Sequence, residues 1–119
     1  MRFGLDKSIQ ELTDEIGRMG GMVEESMDKM IIALREMNAD LAMEIIAHDE
    51  EIDNIESKIE KQCLTLVALQ QPLAKDLRMI GATLKIITDL ERIADQSADI
   101  SELIIRLSKK PINLNHDIY

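Results

Sequence analysis

The stretch DLERIADQSAD, residues 89–99, sets Glu91, Asp95 and Asp99 at successive four-residue steps. On a helix that spacing lines the three carboxylates along one side, where like charges repel. Upstream, HDEEIDNIE places Asp49 and Asp53 at the same interval, with Glu56 and Glu60 beyond them. Grouped carboxylate oxygens suit hard cations such as iron, manganese, magnesium or calcium, and side chains four apart on a helix are close enough to share one. Acids converging from two helices would make a metal site. Acids that stay apart are a solvated edge, neutralised by neighbours such as Lys58, Lys61, Lys85 and Arg92.

Helical-wheel positions favour convergence. With Ile87 as origin, Leu84, Ile80 and Leu77 lie within about 80°, and Glu91 and Asp95 fall at about 40° and 80° in the same arc. Asp99 drifts to about 120°, and Asp89 points away at about 200°. With Ile52 as origin, Asp49, Asp53, Glu56 and Glu60 occupy one shoulder of the apolar arc, between about 40° and 100°. If these two helices run antiparallel about a turn at Gln70 to Pro72, the 49–53 region comes level with 89–93. Asp49, Asp53, Glu91 and Asp95 are then the candidate metal ligands.

The elements that must position them are legible as hydrophobic periodicity. A first helix carries Leu5, Ile9, Leu12, Ile16, Met19, Val23, Met27, Met30, Leu34 and Met37 at three- and four-residue steps, the signature of a long amphipathic helix. Gly17, Gly20 and Gly21 interrupt it, which suits either a close helix approach or a local weak point. Asn38 or Asp40 is the expected cap of a second helix built on Leu41, Ile45, Ile52, Ile55, Ile59, Cys63, Leu66 and Leu69. Pro72 then opens a third, carried by Leu73, Leu77, Ile80, Leu84, Ile87, Ala94, Ala98 and Ile105 and ending near Lys109, Lys110 and Pro111 in a basic last turn. Each of the three spans about 45 Å. Short connections make them run up, down and up, so the expected fold is all-α, an antiparallel three-helix bundle over residues 1–110, with 111–119 as a linker or tail.

Composition narrows the function classes. The chain has 119 residues, 2% aromatics and a formal net charge of −9, so Leu, Ile, Met and Ala must fill the interior and nucleic-acid binding lacks its positive footprint. The start has no signal-peptide run, and no stretch is apolar for the 18 or so residues a membrane span needs, which points to a cytoplasmic protein. Cys63 reads as core and His48 as a boundary histidine. Glu44 and His48 form Glu-x-x-x-His without a second copy, which does not fit the Glu-x-x-His pairs of carboxylate-bridged di-iron bundles. No nucleophile accompanies a base, so no catalyst is expected. Lys75, Arg78, Lys85 and Arg92 form an outer stripe on the third helix, either solvated or a docking surface for an acidic partner.

The run QQPLAKDLRMIGATLKIITDLERIADQSADI, preceded by HDEEIDNIESKIEKQCLTLVALQ, resembles the PhoU family of phosphate-uptake regulators along the whole chain. That resemblance implies a regulator that works with a phosphate ABC transporter ATPase and a sensor histidine kinase. It also implies tandem three-helix bundles and, in some members, multinuclear iron or other metal clusters on E/D-x-x-x-D motifs, here Asp49 with Asp53 and Glu91 with Asp95. Ala94 stands where the family motif has glycine. The chain looks like one repeat only, and a lone repeat implies a homodimer. The competing expectation is a plain helical interaction module whose acidic face holds no metal.

Overall fold

A computed structural model describes residues 2–69 and 72–109 and contains three helices in the expected order: α1 (Arg2–Glu36), α2 (Ala39–Leu69) and α3 (Ala74–Lys109). Gln70 and Gln71, where a turn was expected, and the tail at 111–119 lie outside the described residues. The antiparallel register of α1 and α2 is marked by two ion pairs, Lys58–Glu15 at 3.1 Å and Lys29–Glu44 at 2.9 Å. They are fourteen residues apart on each helix, so the two helices keep step.

Local chemistry explains the helix ends. Met37 takes a left-handed conformation, φ 51°, the Asn38 amide donates to the Ala33 carbonyl at 2.9 Å and the Met37 amide to Leu34 at 3.4 Å. Together these close α1 in a Schellman motif. Asn38 then caps α2: its Oδ1 accepts from the Leu41 amide at 3.0 Å, satisfying one of the donors a helix start leaves over. At the start of α3 the carboxylate of buried Asp76 accepts from the Leu73 amide at 3.0 Å, the backward half of a capping box. Arg106 and Lys109 make the last turn of α3 basic, as the helix dipole favours.

The buried rows follow a seven-residue repeat, the geometry of long helices packed at a shallow angle. On α1 the row is Leu5, Leu12, Met19, Ser26 and Ala33; on α2 it is Ile45, Ile52, Ile59 and Leu66; on α3 it is Ile80, Ile87, Ala94 and Ser101. The expected stripe departs from these rows in two places. Beyond Val23 the apolar spacing pointed to Met27, Leu34 and Met37, yet these are exposed while small Ser26 and Ala33 face inward. Leu73, just before α3, and Leu77 on it are likewise exposed, and Asp76, Thr83, Ser97 and Ser101 are buried in their stead. Helix spacing is kept by the repeat, so a small polar residue on the inward row is buried and a large apolar one off it is not. Ser101 satisfies its hydroxyl by donating to the Ser97 carbonyl at 2.7 Å.

The core accordingly splits into a large cluster, from Leu5 and Leu66 to Val23, Ile52 and Ala94, and a small one of Ala33, Ala42, Ile45 and Ile104 near the α1–α2 connection. Ala94 is fully buried and its methyl is part of the packed core. Gly17, Gly20 and Gly21 have open space where a Cβ would stand, so close helix approach does not explain them. Cys63 is buried in the large cluster, as its position implied, and His48 is exposed.

Candidate metal centre

A second seven-residue row on α2 carries the chemistry. It runs Ala42, Asp49, Glu56 and Cys63: the two ends are fully buried and the two carboxylates between them are half-buried. These acids therefore occupy positions at the edge of the core, on the flank of α2 turned toward α3. On α3 Asp95 follows fully buried Ala94 in sequence, and the turn of about 100° per residue swings its carboxylate to the flank facing α2.

One oxygen each from Asp49, Asp53 and Asp95 lies within 4.8 Å of the other two. The expected meeting of the 49/53 and 91/95 pairs is therefore present for three of its four members. Glu91, one turn before Asp95, is not in that group of three. It sits next along the groove, hydrogen-bonded to Asp95 and in contact with Glu56. Glu56 is the residue that motif spacing alone did not single out as a ligand candidate. Its signal was present as its place in the Ala42–Cys63 row.

The electrostatics are those of anions crowded without a counter-charge. Burial, then the charges of Asp53 and Asp95, pushes Asp49 up to about 6. Asp53 is raised by burial and by Asp95. Glu91 is pushed up to about 7, first by its hydrogen bond to Asp95, then by burial and Glu56. Glu56 is itself raised, chiefly by burial, although its hydrogen bond with Glu91 pulls the other way. In addition, Asp49 Oδ1 and Asp53 Oδ1 are buried without a hydrogen-bond partner, a costly state for a carboxylate.

Three of the four basic residues that would make this a neutralised edge are engaged elsewhere. Lys58 pairs with Glu15 on α1, while Lys85 and Arg92 both take Asp89, at 3.0 and 3.8 Å. Asp89 thus lies away from the acidic groove, as its wheel position implied. Among the described residues no lysine or arginine pairs with Asp49, Asp53, Glu91 or Asp95. The donor set is all oxygen, anionic, contributed by two helices and partly dehydrated, which fits a hard divalent or trivalent cation and not a soft one.

Three long antiparallel helices with a carboxylate groove between the second and third define the class: an all-α bundle domain organised around a candidate metal centre. The sequence pattern described as the PhoU domain matches residues 16–104, and the chain belongs to the PhoU family. It is 40% identical over 116 residues to a phosphate-specific transport system accessory protein PhoU homolog of Aquifex aeolicus, covering 93% of this chain and 52% of that protein. A homolog of the same description from Clostridium acetobutylicum is 40% identical over 114 residues, 95% of this chain and 51% of the relative. One from Synechocystis is 33% identical over 106 residues, 89% and 47% of the two chains. The chain therefore spans about half the length of the curated relatives it matches. Among the described residues no helix is long and apolar enough to cross a membrane.

Proposed function

We propose that this chain is a PhoU-type regulator of phosphate uptake and phosphate-starvation signalling, acting by docking, with a hard cation held in the α2–α3 groove. The relatives' description as accessory proteins of a phosphate-specific transport system supports the regulatory half of this reading. The single observation that carries the metal half is the trio Asp49, Asp53 and Asp95, with oxygens within 4.8 Å of one another and two buried oxygens unpartnered. These three would hold the ion, and Glu91 would join them through its contact with Asp95. The cation would neutralise the groove and tie α2 to α3, fixing the surface that the bundle presents to a transporter ATPase or a sensor kinase. A bound ion of this kind supplies charge and rigidity, and no catalytic step is assigned to it.

Protein stripped with chelator and titrated calorimetrically with Mn²⁺, Fe²⁺, Mg²⁺ and Ca²⁺ tests the metal half. Saturable binding is expected, accompanied by proton release at neutral pH that comes mainly from Glu91, pushed up to about 7, and that grows toward pH 6 as Asp49 also carries a proton to shed. Asp49→Asn and Asp95→Asn should each weaken it at least about tenfold. Equal affinity in both variants would remove the assignment and leave a helical module with an acidic face. The regulatory half has its own readout: binding of purified phosphate-transporter ATPase and sensor kinase to the immobilised chain, with and without metal.

A further inference from the structure

The glycines of α1 have no packing reason, and they stand level with the acidic groove. Lys58–Glu15 and Lys29–Glu44 fix the axial match of α1 to α2, and by that match Gly17 lies level with Glu56 and Gly20 with Asp53. Gly17 and Gly21 are exposed, Gly20 is half-buried, and none of the three meets a neighbour where a Cβ would stand. The segment is thinly supported toward α2 as well, where Arg18 and Met22 border a cavity of about 290 Å³ whose far wall includes Glu51 and Ile52. Three glycines within five residues, beside unfilled space, make this the stretch of α1 whose helical hydrogen bonds open at least cost.

Met19 anchors the segment. It is fully buried in the core cluster that contains Ile52, Ile55 and Ala94, with Leu90 packed against it. Each of those four is followed in sequence by a carboxylate of the groove: Asp53 after Ile52, Glu56 after Ile55, Glu91 after Leu90 and Asp95 after Ala94. The residues that hold Met19 in the core and the residues that repel one another are therefore backbone neighbours. Asp49, Asp53 and Asp95 bring oxygens within 4.8 Å of one another, and their repulsion presses α2 and α3 apart. Any parting there loosens the core at the level of Met19. Neutralising the groove lets the two helices close and tightens it.

We propose that residues 17–21 form a hinge in α1, coupled through the core to the charge of the α2–α3 groove: it opens while the carboxylates repel and closes when they are neutralised. Substitution neutralises the groove without any ion, so the coupling stands apart from the metal reading. That a bound cation also closes the hinge is the one extension that rests on that reading.

Native-state hydrogen exchange, followed amide by amide along a urea series in chelator, tests it. The amides of residues 20–25, which donate to the carbonyls of 16–21, are expected to exchange through a local opening that urea hardly affects. Gly17→Ala with Gly21→Ala should slow that opening about tenfold or more. Asp49→Asn with Asp95→Asn, both outside α1, should slow the same opening about threefold or more. A gain in global stability alone moves only the urea-dependent exchange, so slowing of the urea-insensitive part reports the hinge. Mn²⁺ bound to the parent should have the effect of the Asn pair. Amides 20–25 that exchange only with urea-dependent unfolding, or a local opening indifferent to either pair of substitutions, would overturn the proposal. Mn²⁺ that binds calorimetrically without slowing the opening would overturn the extension to a cation. Failure of Mn²⁺ to bind would strike the metal reading alone, since the Asn pair decides the coupling.

Discussion

Asp49 and Glu91 are held in a state that water alone would not choose, and the consequence is a pH dependence of unusual direction. Both carboxyls titrate higher in the folded chain than their ordinary 3.8 and 4.5, at about 6 and about 7. Between the unfolded and folded values the native state holds more protons than the unfolded state, so stability falls as pH rises through that window. Their stabilising contribution is fully present below about pH 4 and is lost by about pH 7 to 8. Glu44, drawn down by Lys29, works in the opposite sense at the acid end. The expected outcome for metal-free protein is a melting temperature that declines from pH 5 to pH 8. Asp49→Asn should melt a few degrees higher than the parent at pH 8 and show a shallower decline. Melts at constant ionic strength in chelator read both. A profile that rises over this range would mean that the carboxylates are not crowded.

At the scale of elements, the helices are assembled from local choices that do not all favour stability. Met37 occupies the left-handed closing position of α1, where a side chain costs about 1 kcal/mol that glycine avoids. Met37→Gly should therefore raise stability by about 0.5–1 kcal/mol, less the small contribution of a partly exposed side chain. Gly17 and Gly21 are exposed on α1 with open space at the Cβ position, and each change to Ala should add about 1 kcal/mol. Asn38→Ala should cost about 1 kcal/mol by orphaning the Leu41 amide. Urea denaturation of the four variants gives these values. A neutral Gly21→Ala would show that the glycine is kept for conformational reasons outside the folded bundle.

For the whole molecule the decisive feature is that α2 and α3 repel along the groove that joins them, while apolar burial on their inner rows holds them together. A cation bound there would act as a cross-link between helices, and ligation stabilises by mass action, about 2.7 kcal/mol at a hundredfold excess over Kd. Melting temperature should accordingly climb with metal concentration in the parent and stay flat in an Asp49→Asn, Asp95→Asn double variant. Differential scanning calorimetry across a metal series gives both curves. Flat behaviour in the parent would separate the acidic groove from any structural metal.

The number, order and approximate bounds of the helices were open to inspection in the chain itself, because amphipathic spacing, Asn38 and Pro72 are local signals that act over three or four residues. The acidic pairs at 49/53 and 91/95 were legible for the same reason, as was the turning away of Asp89. Which inward row wins is a different kind of question. Ser26, Ala33, Ser97 and Ser101 are buried, and Met27, Leu34 and Leu77 are not, since three long helices must keep a common seven-residue register even where the larger side chains fall off it. The axial match of α2 to α3 likewise decided that Asp95 meets Asp49 and Asp53 while Glu91 sits one step along, against Asp95 and Glu56. Residue types and their spacing determined that a carboxylate site was possible; only the packing of one helix on another, which fixes distance and desolvation together, brought three of those oxygens within 4.8 Å and left them without a counter-charge.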